Sequence, residues 1–433
     1  MNNDKNIIPK KYRIHFIMLV SCFILWGLLN NMTDNLVPAF SKIFMLEATN
    51  ASFIQVAFYG AYAVLALPAA IIIKKYSYRK GVLLGLTLYI LGAMGYIPAA
   101  IMQNFQIFIV AVFVLASGLS ILETSCNPYV ISLGSEETSV RRLNMAQAFN
   151  PVGSLTGIIM AKFLILNNLN PATYEERVAM TPEQLSEIRS NELLWVCIPY
   201  VSLIIIAFII WLFFKKSKDT ENKDDSKLDI LNSIKKLVCK PRYILGVVAQ
   251  FFYVGVQIAV WTWTISYIVI NKGVDEATAS TYYLISIVLF IICRWICTFI
   301  MKYVEPAIIM ALFAIGGIVF SLGTMYLPID ISIWCLVLIS ASMSLMFPTI
   351  YGIALKDLGD EVKVGAAGLI MAILGGAVIT PIMGKLIDTG VFSSIVSNFS
   401  GDVAAIRSSF IIPVICFVVV LIYSIMFCNK KSK

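Results

Sequence analysis

Apolar residues run along this chain in stretches of about 20, the length a helix needs to cross a hydrocarbon core, and charged or turn-rich breaks separate them. Cutting at those breaks predicts twelve membrane-spanning helices, at 14–40, 52–73, 82–101, 105–133, 143–166, 193–214, 243–270, 278–301, 307–327, 332–355, 364–388 and 406–428. The first run follows Lys10, Lys11 and Arg13, exceeds the core of a signal peptide and lacks a small-residue cleavage site, so it stays in the mature protein. The fold this predicts is an all-α membrane protein.

The longest polar break, KKSKDTENKDDSKLDILNSIKKLVCKPR at 215–242, divides the spans six and six. The expected organisation is a six-helix bundle at 1–214, a cytoplasmic linker at 215–242 and a second six-helix bundle at 243–433. Within the linker, Leu228 to Val238 has the pattern of an amphipathic helix lying on a membrane surface. The bundles also look like copies: a shift of 223 positions lays Gly153–Ile165 over Gly376–Asp388, with Gly153 over Gly376 and Lys162 over Lys385. Parallel repeats of this kind enclose a midplane cavity that opens alternately to each side.

Composition narrows the class. The 433 residues are 59% hydrophobic and 13% charged, against about 25% charged in soluble domains, which excludes a soluble enzyme and a disordered chain. Nine cysteines lie mostly within apolar runs, without metal-ligand spacing or a disulfide framework. The net charge of +8 could suggest nucleic acid, but its distribution points to lipid. With both termini in the cytoplasm, inward segments hold 25 Lys and Arg and outward loops only five, the asymmetry that orients membrane proteins. No phosphate-binding loop, metal cluster or activated nucleophile is present, so neither enzyme chemistry, a cofactor nor ATP hydrolysis is expected.

Carboxylates are expensive in hydrocarbon and mark function there. Asp34 falls in the outer half of the first span and Glu123 near the middle of the fourth. Asn30 and Asn31 share a helical face with Asp34, and Asn127 with Glu123. Asn144, Gln147 and Asn150 make a third polar stripe; Gln250 and Gln257, beside Trp261 and Trp263, make a fourth. Amides that donate and accept, with indole faces, suit a ligand rich in hydroxyls. The plain alternative is that each amide only ties helices together. Arg294 either snorkels or anchors a contact between the halves, and Lys162 and Lys385 snorkel. Prolines in most spans either kink the helices or supply the bends of a rocking transporter.

The segments WGLLNNMTDNLVPAF (26–40), FYGAYAVLALPAAIIIKKYSYRKGVLLGLTLYILGA (58–93), ILETSCNPYVISLG (121–134), RRLNMAQAFNPVG (141–153) and QFFYVGVQIAVW (250–261) resemble the L-fucose:proton symporter family of the major facilitator superfamily, over essentially the whole chain. The resemblance implies a monomeric, multi-pass transporter of a bacterial inner membrane, with both termini cytoplasmic, that takes up sugar with protons. It puts the family's critical acids at Asp34 and Glu123, its polar sugar-facing positions at Asn31, Gln147 and Asn150, and its aromatic contacts at Trp26 and Trp261. A further aromatic position falls at Phe347, where the family carries a tyrosine, so one hydroxyl is missing. The loop KKYSYRKG keeps the superfamily's basic charges without its acidic residue. Relatives in this family carry glucose, galactose or N-acetylhexosamines, which remain alternative substrates. A drug exporter, with a larger apolar cavity, and a non-transporting sugar sensor are rival classes.

Overall fold

The structure, a computed structural model, describes residues 7–34, 36–46, 53–172, 174–218 and 230–428. Among the described residues, twelve helices are long and apolar enough to cross a membrane: α1 (Lys10–Met32, helical on to Asp34), α2 (Val56–Lys75), α3 (Tyr78–Ile101), α4 (Phe105–Ser132), α5 (Glu136–Asn168), α6 (Pro182–Lys216), α7 (Pro241–Lys272), α8 (Thr278–Ile300), α9 (Pro306–Tyr326), α10 (Ile329–Leu355), α11 (Val362–Thr389) and α12 (Gly401–Met426). All twelve expected spans are therefore present, and the described residues contain no strand.

Boundaries differ most where polar residues are buried. α6 begins at Pro182, not at the apolar onset near 193, because Thr181 and Gln184 form a reciprocal capping box and Pro182 occupies the first turn. Its extra turns carry Glu192 to Arg177, a pair 1% exposed on each side and joined at 2.5 Å. α12 likewise starts early, at Gly401. Arg407, 1% exposed, donates to Asn271 Oδ1 at 2.5 Å, the Leu327 carbonyl at 2.8 Å and Ser332 Oγ at 3.2 Å. Arg177 and Arg407 are two of the five basic residues that hydropathy places in outward loops.

By contacts the chain divides into two compact units, Ile8–Leu133 with Phe149–Asp229, and Gly134–Ala148 with Ile230–Lys433 and Met1–Ile7. In the first, α1 packs on α5, α2 on α4, and α3 on α4 and α6; in the second, α7 packs on α11, α8 on α10, and α9 on α10 and α12. The same pairing at a six-helix offset is what a duplicated bundle produces. Glycines let the α1 and α5 backbones touch: a Cβ on Gly153 or Gly157 would lie 2.1 Å from the carbonyl oxygen of Ile24 or Leu28. In the second unit the matching wedge is Gly375, whose Cβ would lie 2.0 Å from the Phe251 oxygen, while Gly376 faces the Ile258 side chain.

The prolines serve two ends. Pro68, Pro128, Pro199 and Pro381 lie inside continuous helix. Pro98, Pro151, Pro348 and Pro413 instead follow interruptions at Gly95, Ala148–Phe149, Ser344–Leu345 and Ser409–Phe410, because a proline cannot return a hydrogen bond to the carbonyl four residues back. Of the amphipathic helix expected at Leu228 to Val238, Ile230–Val238 is helical, and Leu228 and Asp229 lie outside the described residues. The helix buries Ser233 and Leu237 and extends Lys236 to Glu361 at 3.4 Å.

Candidate functional site

Each unit carries its own group of candidate residues. In the first, Glu123 is 2% exposed in the middle of α4, and neither of its carboxylate oxygens has a hydrogen-bond partner among the described residues. A polar neighbour is Tyr62 on α2, whose hydroxyl lies within electrostatic reach of the carboxyl and accepts from Trp26 Nε1 on α1 at 3.0 Å. Three helices thus bring an indole, a phenol and an acid together. Tyr62 is not among the residues singled out from sequence, although Gln55 and Tyr59 precede it at helical spacing.

Asn150 sits at the restart of α5 after its interruption and donates Nδ2 to the Phe23 carbonyl at 3.2 Å. Asn31, half-buried on α1, donates to the Gly27 carbonyl at 3.2 Å. Asp34 is the last residue of the regular α1 helix, and its side chain lies outside the described residues. Asn127 is fully buried and bonds the Glu123 backbone carbonyl at 3.1 Å, which makes it a helix tie rather than part of a polar stripe open to ligand.

In the second unit, Trp261 on α7 is half-buried and donates Nε1 to Ser340 Oγ on α10 at 3.1 Å. Its ring meets Phe290 of α8 edge-on, with centroids 5.3 Å apart. Phe347 follows the α10 interruption, stacks on Tyr351 at 6.2 Å and meets Tyr253 edge-on at 6.3 Å; Tyr253 donates to the Met343 carbonyl at 3.1 Å. Gln147, 2% exposed, ends the first segment of α5. The two glutamines of α7 part company: Gln257 is half-buried, whereas Gln250 is fully buried with neither amide atom partnered among the described residues.

Other stripe members are structural. Asn144 donates to Thr349 Oγ1 at 3.2 Å, tying α5 to α10, and Trp263 packs on Gly384 while donating to the Thr380 carbonyl at 3.4 Å. Lys162 and Lys385 are exposed as expected of snorkelling side chains. Arg294 does not snorkel: it is 4% exposed. Among the described residues no cluster of His, Cys, Asp and Glu could hold a metal ion.

Twelve spanning helices in a duplicated six-helix arrangement, with a buried acid and aromatic-lined amides, define a membrane transporter. Residues 16–381 match the model of the Major Facilitator Superfamily. The chain is 39% identical to the L-fucose-proton symporter of Haemophilus influenzae, over 97% of this chain and 98% of that protein. It is 34% identical to the L-fucose-proton symporter of Escherichia coli K12, over 96% and 93%. The crystal structure of an asparagine-to-alanine variant of the E. coli fucose:proton symporter, FucP, superimposes with a TM-score of 0.88 at 33% identity, over 97% of this chain and all of that one. A glucose/galactose transporter of Brucella abortus is 29% identical over 96% of this chain and 95% of its own length. The chain therefore belongs to the L-fucose-proton symporter family of the Major Facilitator Superfamily, whose members are transporters rather than enzymes.

Proposed function

We propose that this protein imports L-fucose or a closely related hexose together with a proton, as a monomer in a bacterial inner membrane with both termini in the cytoplasm. The observation that carries the reading is Glu123: an acid within a membrane span, 2% exposed and without a counter-charge or hydrogen-bond partner among the described residues. Such a group is costly unless it works, and gain and loss of a proton is the work a carboxyl can do. Its neighbours fit sugar recognition, since the Tyr62 hydroxyl both donates and accepts and the Trp26 indole offers an apolar face.

In this reading Asp34 takes the proton from outside, while Glu123 couples protonation to sugar held by Asn31, Gln147, Asn150, Gln257, Trp26, Trp261 and Phe347. Sugar and proton each favour the same conformations, so a gradient of one drives the other. A second reading, a glucose or galactose carrier, is favoured by the 29% identity to a glucose/galactose transporter over 96% of this chain. Counterflow of labelled L-fucose, D-galactose, D-glucose and N-acetylglucosamine in proteoliposomes, each competed by the other three sugars, separates the readings. Strongest competition by L-fucose supports the first, strongest competition by D-galactose or D-glucose the second, and no uptake of any sugar refutes both.

A further inference from the structure

Arg294 is a buried guanidinium whose hydrogen bonds go to two backbone carbonyls on two other helices. Its Nε donates to the Ser344 carbonyl of α10 and its Nη1 donates to the Gln147 carbonyl of α5 at 3.1 Å. Both acceptors stand four residues before a proline, Pro348 and Pro151 respectively. In an unbroken helix the N–H of residue i+4 would return to those carbonyls; proline has no N–H to return, and its ring pushes the carbonyl aside. α5 and α10 are interrupted at these places, at Ala148–Phe149 and Ser344–Leu345. A carbonyl freed at membrane depth has to find another donor, and one arginine side chain supplies both.

The same side chain adjoins the aromatic wall of the second unit. Arg294 Cζ lies 4.6 Å from the centroid of Phe290, one helical turn earlier on α8, and Phe290 is the ring against which Trp261 stands edge-on. Gln147 itself and Phe347, three residues past Ser344, lie beside the two stapled carbonyls.

We propose that Arg294 is a positioning residue of the transport cycle: its guanidinium replaces the two backbone N–H groups that Pro151 and Pro348 withhold. One side chain thereby sets the bends of α5 and α10 and the placement of Gln147 and Phe347. A helical hydrogen bond cannot be exchanged without unwinding its turn, whereas a side-chain bond lets go by a rotamer change, so the bends are adjustable during the cycle. This rests on the reading of Gln147 and Phe347 as sugar-facing.

The test is a backbone rescue in full-length protein, comparing wild type, Arg294→Met, Pro348→Ala and the double variant. Readouts are Vmax and KM of labelled L-fucose uptake in proteoliposomes and the melting midpoint in detergent. Arg294→Met should lower Vmax by about tenfold or more, the scale of a lost buried charge-assisted hydrogen bond. In the Pro348→Ala background the same substitution should cost much less, because residue 348 then returns an N–H to the Ser344 carbonyl. Arg294→Lys, which keeps the charge without the fork geometry, should recover only part of the loss.

Equal losses in both backgrounds, no loss in Arg294→Met, or full recovery by lysine would each overturn the proposal. Should Arg294→Met fail to fold, a folded and active double variant supports the staple and an unfolded one overturns it. Failure of the wild type to take up any sugar would refute the transport reading instead, and the pattern of melting midpoints would then decide the staple alone.

Discussion

Glu123, Tyr62 and Trp26 stand on three different helices, and their chemistry depends on that meeting. Glu123→Gln keeps the shape and removes the titrating group. It should weaken sugar binding and abolish coupling together, seen as a lower affinity by calorimetry and the loss of proton-dependent uptake; wild-type affinity would remove Glu123 from the site. Tyr62→Phe leaves the Trp26 indole N–H without its acceptor and Glu123 without its hydroxyl neighbour. Leaving a buried donor unpaired costs about 1–3 kcal/mol, so apparent sugar affinity should fall by roughly tenfold while the protein still folds. Unchanged affinity would mean that the phenol neither orients the indole nor serves the acid. The sequence marked Glu123 through its cost in hydrocarbon, but it held no sign that Tyr62 would arrive beside it. A tyrosine facing lipid and one facing a polar site are written with the same letter, and what Tyr62 meets lies on other helices.

At the scale of helices, the spans were legible because hydrocarbon thickness dictates their length, and the polar ends were not. The early starts of α6 and α12 rest on buried arginines whose partners, Glu192 and the Leu327 carbonyl, are 15 and 80 residues away in sequence. Hydropathy counts a charge as a break whether or not something compensates it. Glu192→Gln should therefore destabilise strongly, by about 3–5 kcal/mol, because Arg177 is left as an uncompensated buried cation. A fall in the detergent melting midpoint checks this, and a midpoint equal to that of wild type would show the pair to be dispensable.

The α1 and α5 contact is the opposite case, in which the glycine was visible in sequence and its neighbour was not. Gly153→Val places atoms where the Ile24 carbonyl now lies, an overpacking cost of about 1–3 kcal/mol. It should lower the yield of folded protein, whereas Gly60→Val, where a Cβ meets nothing within 4 Å, should not. The prolines were visible too, yet only the structure separates those that continue a helix from those that follow a break. At Pro151 and Pro348 the freed carbonyls accept from Arg294.

Across the whole molecule, the repeated helix pairing in both units carries the transporter class, and the twelve-span count, the sixfold split and the basic asymmetry were all readable before any coordinate. A drug exporter on the same scaffold would move hydrophobic cations without sugar competition, and a sugar sensor would bind without accumulating. Because the proton is a co-substrate entering from outside, uptake should fall as external pH rises at fixed internal pH.

The central claim is that acids inside the membrane tie proton entry to sugar entry. The most direct test loads proteoliposomes at neutral pH, acidifies the exterior and follows labelled sugar in wild type and Asp34→Asn. The account predicts uphill accumulation in the wild type, abolished by a proton ionophore. The variant should fail to accumulate while still exchanging sugar at equilibrium. Accumulation by Asp34→Asn at the wild-type level, or wild-type uptake indifferent to the pH gradient, would contradict it.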